Sequence, residues 1–314
     1  MITPHSRRRF FFLSFLIGLV PLTSAREAVA GGGGGLPKGR SIQHRYRAQQ
    51  IELLGHNTFN GSNRKAVDRG AAPYFSSLGR RFVRRVLAAT SRHHVCDMGA
   101  GNCVFATELA GLGGRVIPEW PFEEAIKQLN DREASQIPHV SAVTYKMDHD
   151  YVHEGKKFQL LEGRLFEDIP PAKLKAKLGQ TKLFFEKWGV LAYTHDPTKV
   201  LRKLCAAAPV DFEYFVEAGP RHWNVERQTM SGDPKPPRSS LHSSTVKLRD
   251  GRVLTFPDWL RTVKGLKVTE LKVENGGALL IRRDPRVPLD IPKLRLINPP
   301  DESGMPPHRE FLER

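Results

Sequence analysis

The residues of this chain whose types and spacing could do chemistry lie in Val95-Cys96-Asp97-Met98-Gly99-Ala100-Gly101-Asn102-Cys103. An apolar run ends on a carboxylate, glycines follow at alternate positions, and an apolar stretch with helical spacing begins at Val104. Glycine lets the backbone turn sharply and lets a ligand approach closely, while a following helix offers free N–H groups. Two cofactor classes use a turn of this kind. A dinucleotide-binding turn needs a third glycine where this chain has Val104, because that glycine lets helix and strand pack closely. Such a turn also has no use for an acid two residues before the first glycine.

A second cluster is Asp148-His149-Asp150-Tyr151-Val152-His153-Glu154. On a helix its two histidines would share a face and the carboxylates could complete a metal site. The string holds few apolar residues and reads as an exposed polar turn, so no metal is expected. Cys96, Cys103 and Cys205 have no short pairing spacing, which excludes a disulfide scaffold and a cysteine zinc site. Cys96 and Cys205 occupy apolar positions and are expected to be buried thiols. Cys103 is expected to fill a gap in the glycine turn.

These residues must be held by alternating elements. Leu78, Phe82, Val83, Val86 and Leu87 recur at helical spacing, with Arg80, Arg81, Arg84 and Arg85 on the other side. That arginine stripe fits phosphate contacts or a solvated helix face. His93 to Asp97 reads as a strand, Val104 to Gly111 as a helix, Arg115 to Pro118 as a brief strand and Phe122 to Glu133 as a helix. Phe158 to Glu162, Lys182 to Glu186 and Phe212 to Glu217 read as strands, separated by helices over Pro171 to Leu178 and Asp196 to Ala208. The alternation predicts a doubly wound, mostly parallel, Rossmann-like α/β sheet. Hairpins are expected around Arg249-Asp250-Gly251 and Asn275-Gly276-Gly277, flanking a short helix over Pro257 to Val263. The second hairpin would close the sheet with antiparallel strands.

On these residues the chain resembles the class I S-adenosylmethionine-dependent methyltransferases, whose first motif is an apolar strand ending in Asp or Glu, then x-Gly-x-Gly-x-Gly. Asp97, Gly99 and Gly101 match, and Cys103 stands in place of the third glycine. The resemblance covers roughly residues 75 to 283. It implies S-adenosylmethionine as cofactor, with Met98, Gly99, Ala100, Gly101 and Asn102 against its methionine part and Asp97 reaching its amino group, directly or through water. It further implies an acid at the end of the next strand for both ribose hydroxyls, Glu119 in Arg115-Val116-Ile117-Pro118-Glu119. Glu167 or Asp168 inherits the contact to the adenine amino group, and Glu186 is the acid of the strand whose tip faces the transferring methyl.

Methyl transfer from a sulfonium is a one-step displacement in which alignment is the main task. A base is needed only where the acceptor must lose a proton. Glu186, Tyr193, His195 and His222 are base candidates by neighbourhood alone, so the catalytic residues and the acceptor stay open. A small molecule or a protein is the favoured acceptor. The Asn/Asp-Pro-Pro-Tyr/Phe signature of many enzymes that methylate base amines is replaced here by Glu186-Lys187-Trp188-Gly189. That makes nucleic acid the less favoured acceptor, with base stacking on Trp188 or Trp223 as its route. A fold of this shape that has lost its chemistry and holds an anionic partner is the alternative.

Composition frames these readings. The chain has 314 residues, 39% hydrophobic and 26% charged, which excludes wholesale disorder and a polytopic membrane protein. Its formal charge of +16 allows an anionic partner and says nothing of fold. Residues 1–30 join a basic head, Arg7-Arg8-Arg9, to a short apolar run and small residues, the pattern of an export signal. The paired arginines resemble the bacterial twin-arginine signal. Export is therefore expected; a misplaced start and cytoplasmic residence, or an uncleaved anchor, are the alternatives. The expected organisation is a signal over 1–30, a glycine-rich linker and basic extension over 31–70, a cofactor-binding domain over 71–283 and a proline- and charge-rich tail over 284–314 that wraps or frays. The irregular segment 219–243 is long enough to be functional.

Overall fold

The computed structural model describes residues 70–101, 103–112, 116, 121–144, 158–161, 165–219, 240–273, 276–298 and 309–314. The arginine-striped helix α1 spans Ala71–Leu87 and kinks at Gly79. Its apolar stripe begins a turn earlier than expected, with Tyr74 and Phe75 fully buried. Strand β1, His94–Met98, leads through the glycine turn into the six-residue helix α2, Val104–Leu109. Helix α3, Glu123–Asn130, carries two glutamates in its first turn, where they suit the helix dipole. Strands β2, His139–Val143, and β3, Phe158–Leu161, follow. Helix α4, Pro171–Leu178, starts on a proline with φ pre-set for a first turn. Strand β4, Thr181–Glu186, precedes the one-turn helix α5, Val190–Tyr193, and then α6, Pro197–Ala207, capped by the Asp196 carboxylate accepting from Lys199 N. Strand β5 is Glu213–Glu217.

The remaining elements are β6, Thr245–Lys247, β7, Val253–Thr255, α7, Phe256–Thr262, β8, Leu266–Lys272, β9, Gly277–Arg283, β10, Leu294–Leu296, and β11, Glu310–Glu313. Seven strands form one sheet in the order β3-β2-β1-β4-β5-β9-β8. The first five are parallel, and the hairpin β8–β9 closes the sheet antiparallel against β5. This is the Rossmann-like architecture expected. The strand order reverses between β1 and β4, and ligands of open α/β sheets bind beyond the carboxyl ends of the strands at such a point.

Strand alternation divides the core into two layers. Val95, Leu183, Phe185 and Phe215 pack against Tyr74, Phe75 and Phe82 of α1 and Phe105 of α2. Cys96, Met98, Phe184, Tyr214 and Val216 pack against α4, α6 and α7. Burial raises the Cys96 thiol and pushes Cys205 up to about 11, so both are inert at neutral pH, as their apolar positions imply.

Two features differ from the sequence reading. The strand paired beside β1 is His139–Val143, in register His94↔His139 through Met98↔Val143, and not Arg115–Pro118. Val116 instead exchanges hydrogen bonds with the Asn130 side chain, 2.9 Å from its N–H and 2.8 Å to its carbonyl. The tail neither wraps nor frays where it is described: β10 and β11 join β6 and β7 in a second sheet of order β10-β11-β6-β7, with Phe311 buried. The signal, the linker and the 148–154 cluster lie outside the described residues, as does most of 219–243, Arg221, His222 and Trp223 included. Among the described residues no helix is long and apolar enough to cross a membrane.

Candidate functional site

The glycine turn sits at the carboxyl end of β1, at the reversal point of the sheet. Gly99 adopts φ 107°, a region in which a side chain is strained. Its N–H and that of Ala100 both donate to Val143 O at 2.9 Å, so the tip of β2 holds the turn. Thr144 Oγ1 adds a bond to Gly101 O at 2.9 Å. Cys103 stands at φ 60°, the left-handed conformation for which glycine is the default, and its side chain is fully buried. The residue that replaces the third glycine therefore keeps the glycine-like backbone, at a cost of order 1 kcal/mol. Asn102 lies outside the described residues.

Beyond the turn, β1 and β4 meet backbone to backbone. A methyl group on Gly99 would stand 2.3 Å from Gly189 Cα, and one on Gly189 would stand 1.8 Å from Met98 O. Only glycine fits at either position. Trp188, just before Gly189, has φ 50°, a rare conformation for a bulky residue and one that concentrates at functional sites. Lys187 Nζ lies 4.8 Å from the Trp188 ring centroid, 3.2 Å from both carboxylate oxygens of Glu217 at the end of β5, and within hydrogen-bond reach of Ser77 Oγ on α1.

The acids expected to contact cofactor separate onto the two faces of the sheet. Asp97 faces α1: it is fully buried, and Tyr74 Oη donates to its two oxygens at 3.0 and 2.9 Å. Met98 is buried on the opposite face. Glu186 also lies there, fully buried, accepting from Leu191 N at 3.1 Å to each oxygen and from Tyr214 Oη. It caps the amino end of α5. Burial raises its pKa to about 7 against the lowering influence of Tyr214, the Leu191 and Ala192 N–H groups and the Arg309 charge. Glu167 lies in the 3-10 turn Phe166–Asp168, where its buried carboxylate accepts from Thr194 Oγ1. Lys203 Nζ donates to Glu167 O at 2.7 Å and Ile169 O at 2.6 Å, closing that turn onto α6. Asp168 is half-buried in the same turn. Glu119 lies outside the described residues.

Of the base candidates, His195 is buried, and desolvation followed by the Arg309 charge lowers its pKa to about 3. It is neutral at physiological pH, and a base works best with a pKa near the operating pH. Sequence reasoning missed Tyr74 and Arg309. Tyr74 stands one helical turn before Leu78 and could have been found by extending the apolar stripe. Arg309 had no local signal. It is fully buried, donates from Nη1 to Leu191 O and Thr194 O at 2.8 Å each, and from Nε to Ser244 Oγ at 3.2 Å. Of the four arginines of α1, Arg81 and Arg85 pair with Glu213, and Arg80, Arg84 and Arg85 are exposed.

No family model matches the chain, and no curated protein is similar to it in sequence. Among solved structures it is similar to the mitomycin 7-O-methyltransferase MmcR at 14% identity and a TM-score of 0.38, over 78% of this chain and 69% of that one. It is similar to the 1,6-didemethyltoxoflavin-N1-methyltransferase of Burkholderia thailandensis, solved with S-adenosylhomocysteine, at 9% identity and a TM-score of 0.41, over 79% and 93%. A DhpI–SAM–HEP complex follows at 17% identity and a TM-score of 0.32, over 76% and 94%. Likeness of this degree assigns no activity to the chain.

Proposed function

We propose that this chain is an S-adenosylmethionine-dependent methyltransferase whose acceptor is a small molecule or a protein. One observation carries the reading: an acid-ended strand enters a glycine turn with φ 107° at Gly99 and 55° at Gly101, at the reversal point of a doubly wound sheet. In the proposal the turn Met98–Asn102 receives the methionine part of the cofactor. Asp97, tied to Tyr74, orients the turn and reaches the amino group through a water or by rotation. Asp168 or Glu167 contacts the adenine amino group, and Glu119 takes the ribose hydroxyls. Glu186 acts by holding α5. The cofactor supplies an electrophilic methyl group, and the chain aligns an acceptor with it.

The test is calorimetric titration of the full chain with S-adenosylmethionine and S-adenosylhomocysteine. Heat of binding is expected for both, and a folded protein that gives none rejects the proposal. Because β2 is His139–Val143, the chain next runs on to Asp148 rather than Glu119. The ribose assignment is therefore tested on both acids. Glu119→Ala should weaken binding by about 1–3 kcal/mol through unpaired hydroxyls, with Asp148→Ala silent; the reverse result moves the role to Asp148.

For the compartment, the proposal is export through residues 1–30. Intact residues 1–30 on a tagged protein recovered from the cytoplasm would reject it. The surplus positive charge is assigned to an anionic partner, whose affinity should fall steeply with salt if it is nucleic acid.

A further inference from the structure

Helix α5 is a single turn, too short to be stable through its own hydrogen bonds. A buried carboxyl group and a buried guanidinium hold its two ends. Glu186 from β4 accepts from Leu191 N at the amino end, and Arg309, entering β11, donates to Leu191 O and Thr194 O at the carboxyl end. The guanidinium stands at the end of the helix that its positive charge favours. Tyr214 from β5 bonds Glu186, and Ser244 bonds Arg309. Desolvation lowers the guanidinium to about 10, while the charges of Glu186 and Tyr193 act the other way, so it stays protonated at neutral pH.

The turn held in this way begins at Gly189, whose backbone is packed against Gly99 with no room for a methyl group. Tyr193 N reaches Gly189 O at 3.2 Å, so a shift of α5 moves Gly189 with it. Gly99 would then move against Val143 O, which holds the glycine turn in place.

We propose that Arg309 is a positioning residue for the Gly99–Gly101 turn, so that docking of β11 in the second sheet and loading of the cofactor turn are energetically coupled. The proposal rests on the cofactor reading above for the identity of the ligand. The mechanical link from Arg309 through α5 to Gly99 stands independently of it. Coupling is reciprocal: whatever tightens the turn must also tighten β11 against β6.

The experiment uses the full chain as wild type, Arg309→Gln and Arg309→Lys, each checked for native circular dichroism. Amide hydrogen exchange without ligand reads residues 97–101, 189–195 and 310–313. Arg309→Gln should quicken exchange at Leu191 to His195 and at Gly99 and Ala100 by about tenfold or more, and Arg309→Lys should restore part of the protection. Unchanged exchange at Gly99 and Ala100 overturns the proposal. Titration with S-adenosylhomocysteine should show affinity weakened by about tenfold in Arg309→Gln, and saturating ligand should slow exchange at 310–313 in wild type. Wild-type affinity in a variant with quickened exchange also overturns the coupling. If wild type binds no S-adenosylhomocysteine, the cofactor reading fails by itself, and the ligand-free exchange at Gly99 decides the positioning role. Should Arg309→Gln not fold, Arg309→Lys carries the same comparison.

Discussion

Replacing Gly189 by alanine should destabilise the protein by more than about 4 kcal/mol and abolish ligand binding at the glycine turn. The added methyl would stand 1.8 Å from Met98 O and 2.7 Å from Glu186 Cβ. The first neighbour is backbone at the end of the central parallel strand β1, where Met98 pairs with Val143 of β2, and it cannot give way without disturbing the sheet. Overpacking of a soft side chain costs about 1–3 kcal/mol; a backbone oxygen at this distance forces β1 and β4 apart. Gly251→Ala is the control. It lies at φ 88° in an exposed hairpin with nothing within 4 Å of the new methyl, so only the conformational cost of about 1 kcal/mol applies. Urea denaturation of both variants, monitored by circular dichroism, makes the comparison. Equal losses would show that the β1–β4 contact is looser than described.

The second large effect depends on pH. Glu186 has a folded pKa of about 7, raised first of all by burial, against an ordinary value of 4.5. A carboxyl that holds its proton more tightly in the folded state stabilises it below pH 4.5, and that contribution is lost as the pH rises toward 7. The difference corresponds to about 3 kcal/mol. His195 acts oppositely: its folded pKa near 3 lies below the ordinary 6.5, so its contribution is present above pH 6.5 and is lost as the pH falls. The two slopes overlap, and Glu186→Gln separates them because His195 is common to both proteins. Between pH 4.5 and 8, wild type should lose about 3 kcal/mol relative to the variant. Parallel stability profiles would mean that Glu186 titrates normally, and its place at the head of α5 would have to be redrawn.

Much of this was legible in the residues. Short apolar runs in β1, β4 and β5, proline at the first turn of α4 and α6, and glycine hairpins located most elements to within a residue or two. The glycine turn was readable because its backbone requirement is local. What escaped was set by tertiary contacts. His139–Val143 is short and carries a polar Ser141 and a terminal histidine, so its local signal is weak. Only its pairing with β1 identifies it as β2. The orientation of Glu186 could have been inferred, since it shares a face with Phe184 and not with Phe185. The tail looked loose because charge and proline dominate it, and burial of Arg309 is decided by carbonyls more than a hundred residues away.

Those separations bear on how the molecule assembles. Arg309 reaches Leu191 across 118 positions, Leu294 N reaches Thr198 Oγ1 across 96, and Arg202 reaches Ile291 O across 89. The strands β1, β2 and β3 are joined through far shorter stretches of chain. Closing long loops carries an entropic cost that must be met before the contacts form, so distant pairings come late. Strands β1, β2 and β3 should therefore gain protection first in refolding, and α5 only after β10 and β11 arrive. Pulsed hydrogen exchange that found Leu191 protected as early as Val95 would contradict this order. A turn that gathers early in folding is thus completed by the part of the chain that arrives last.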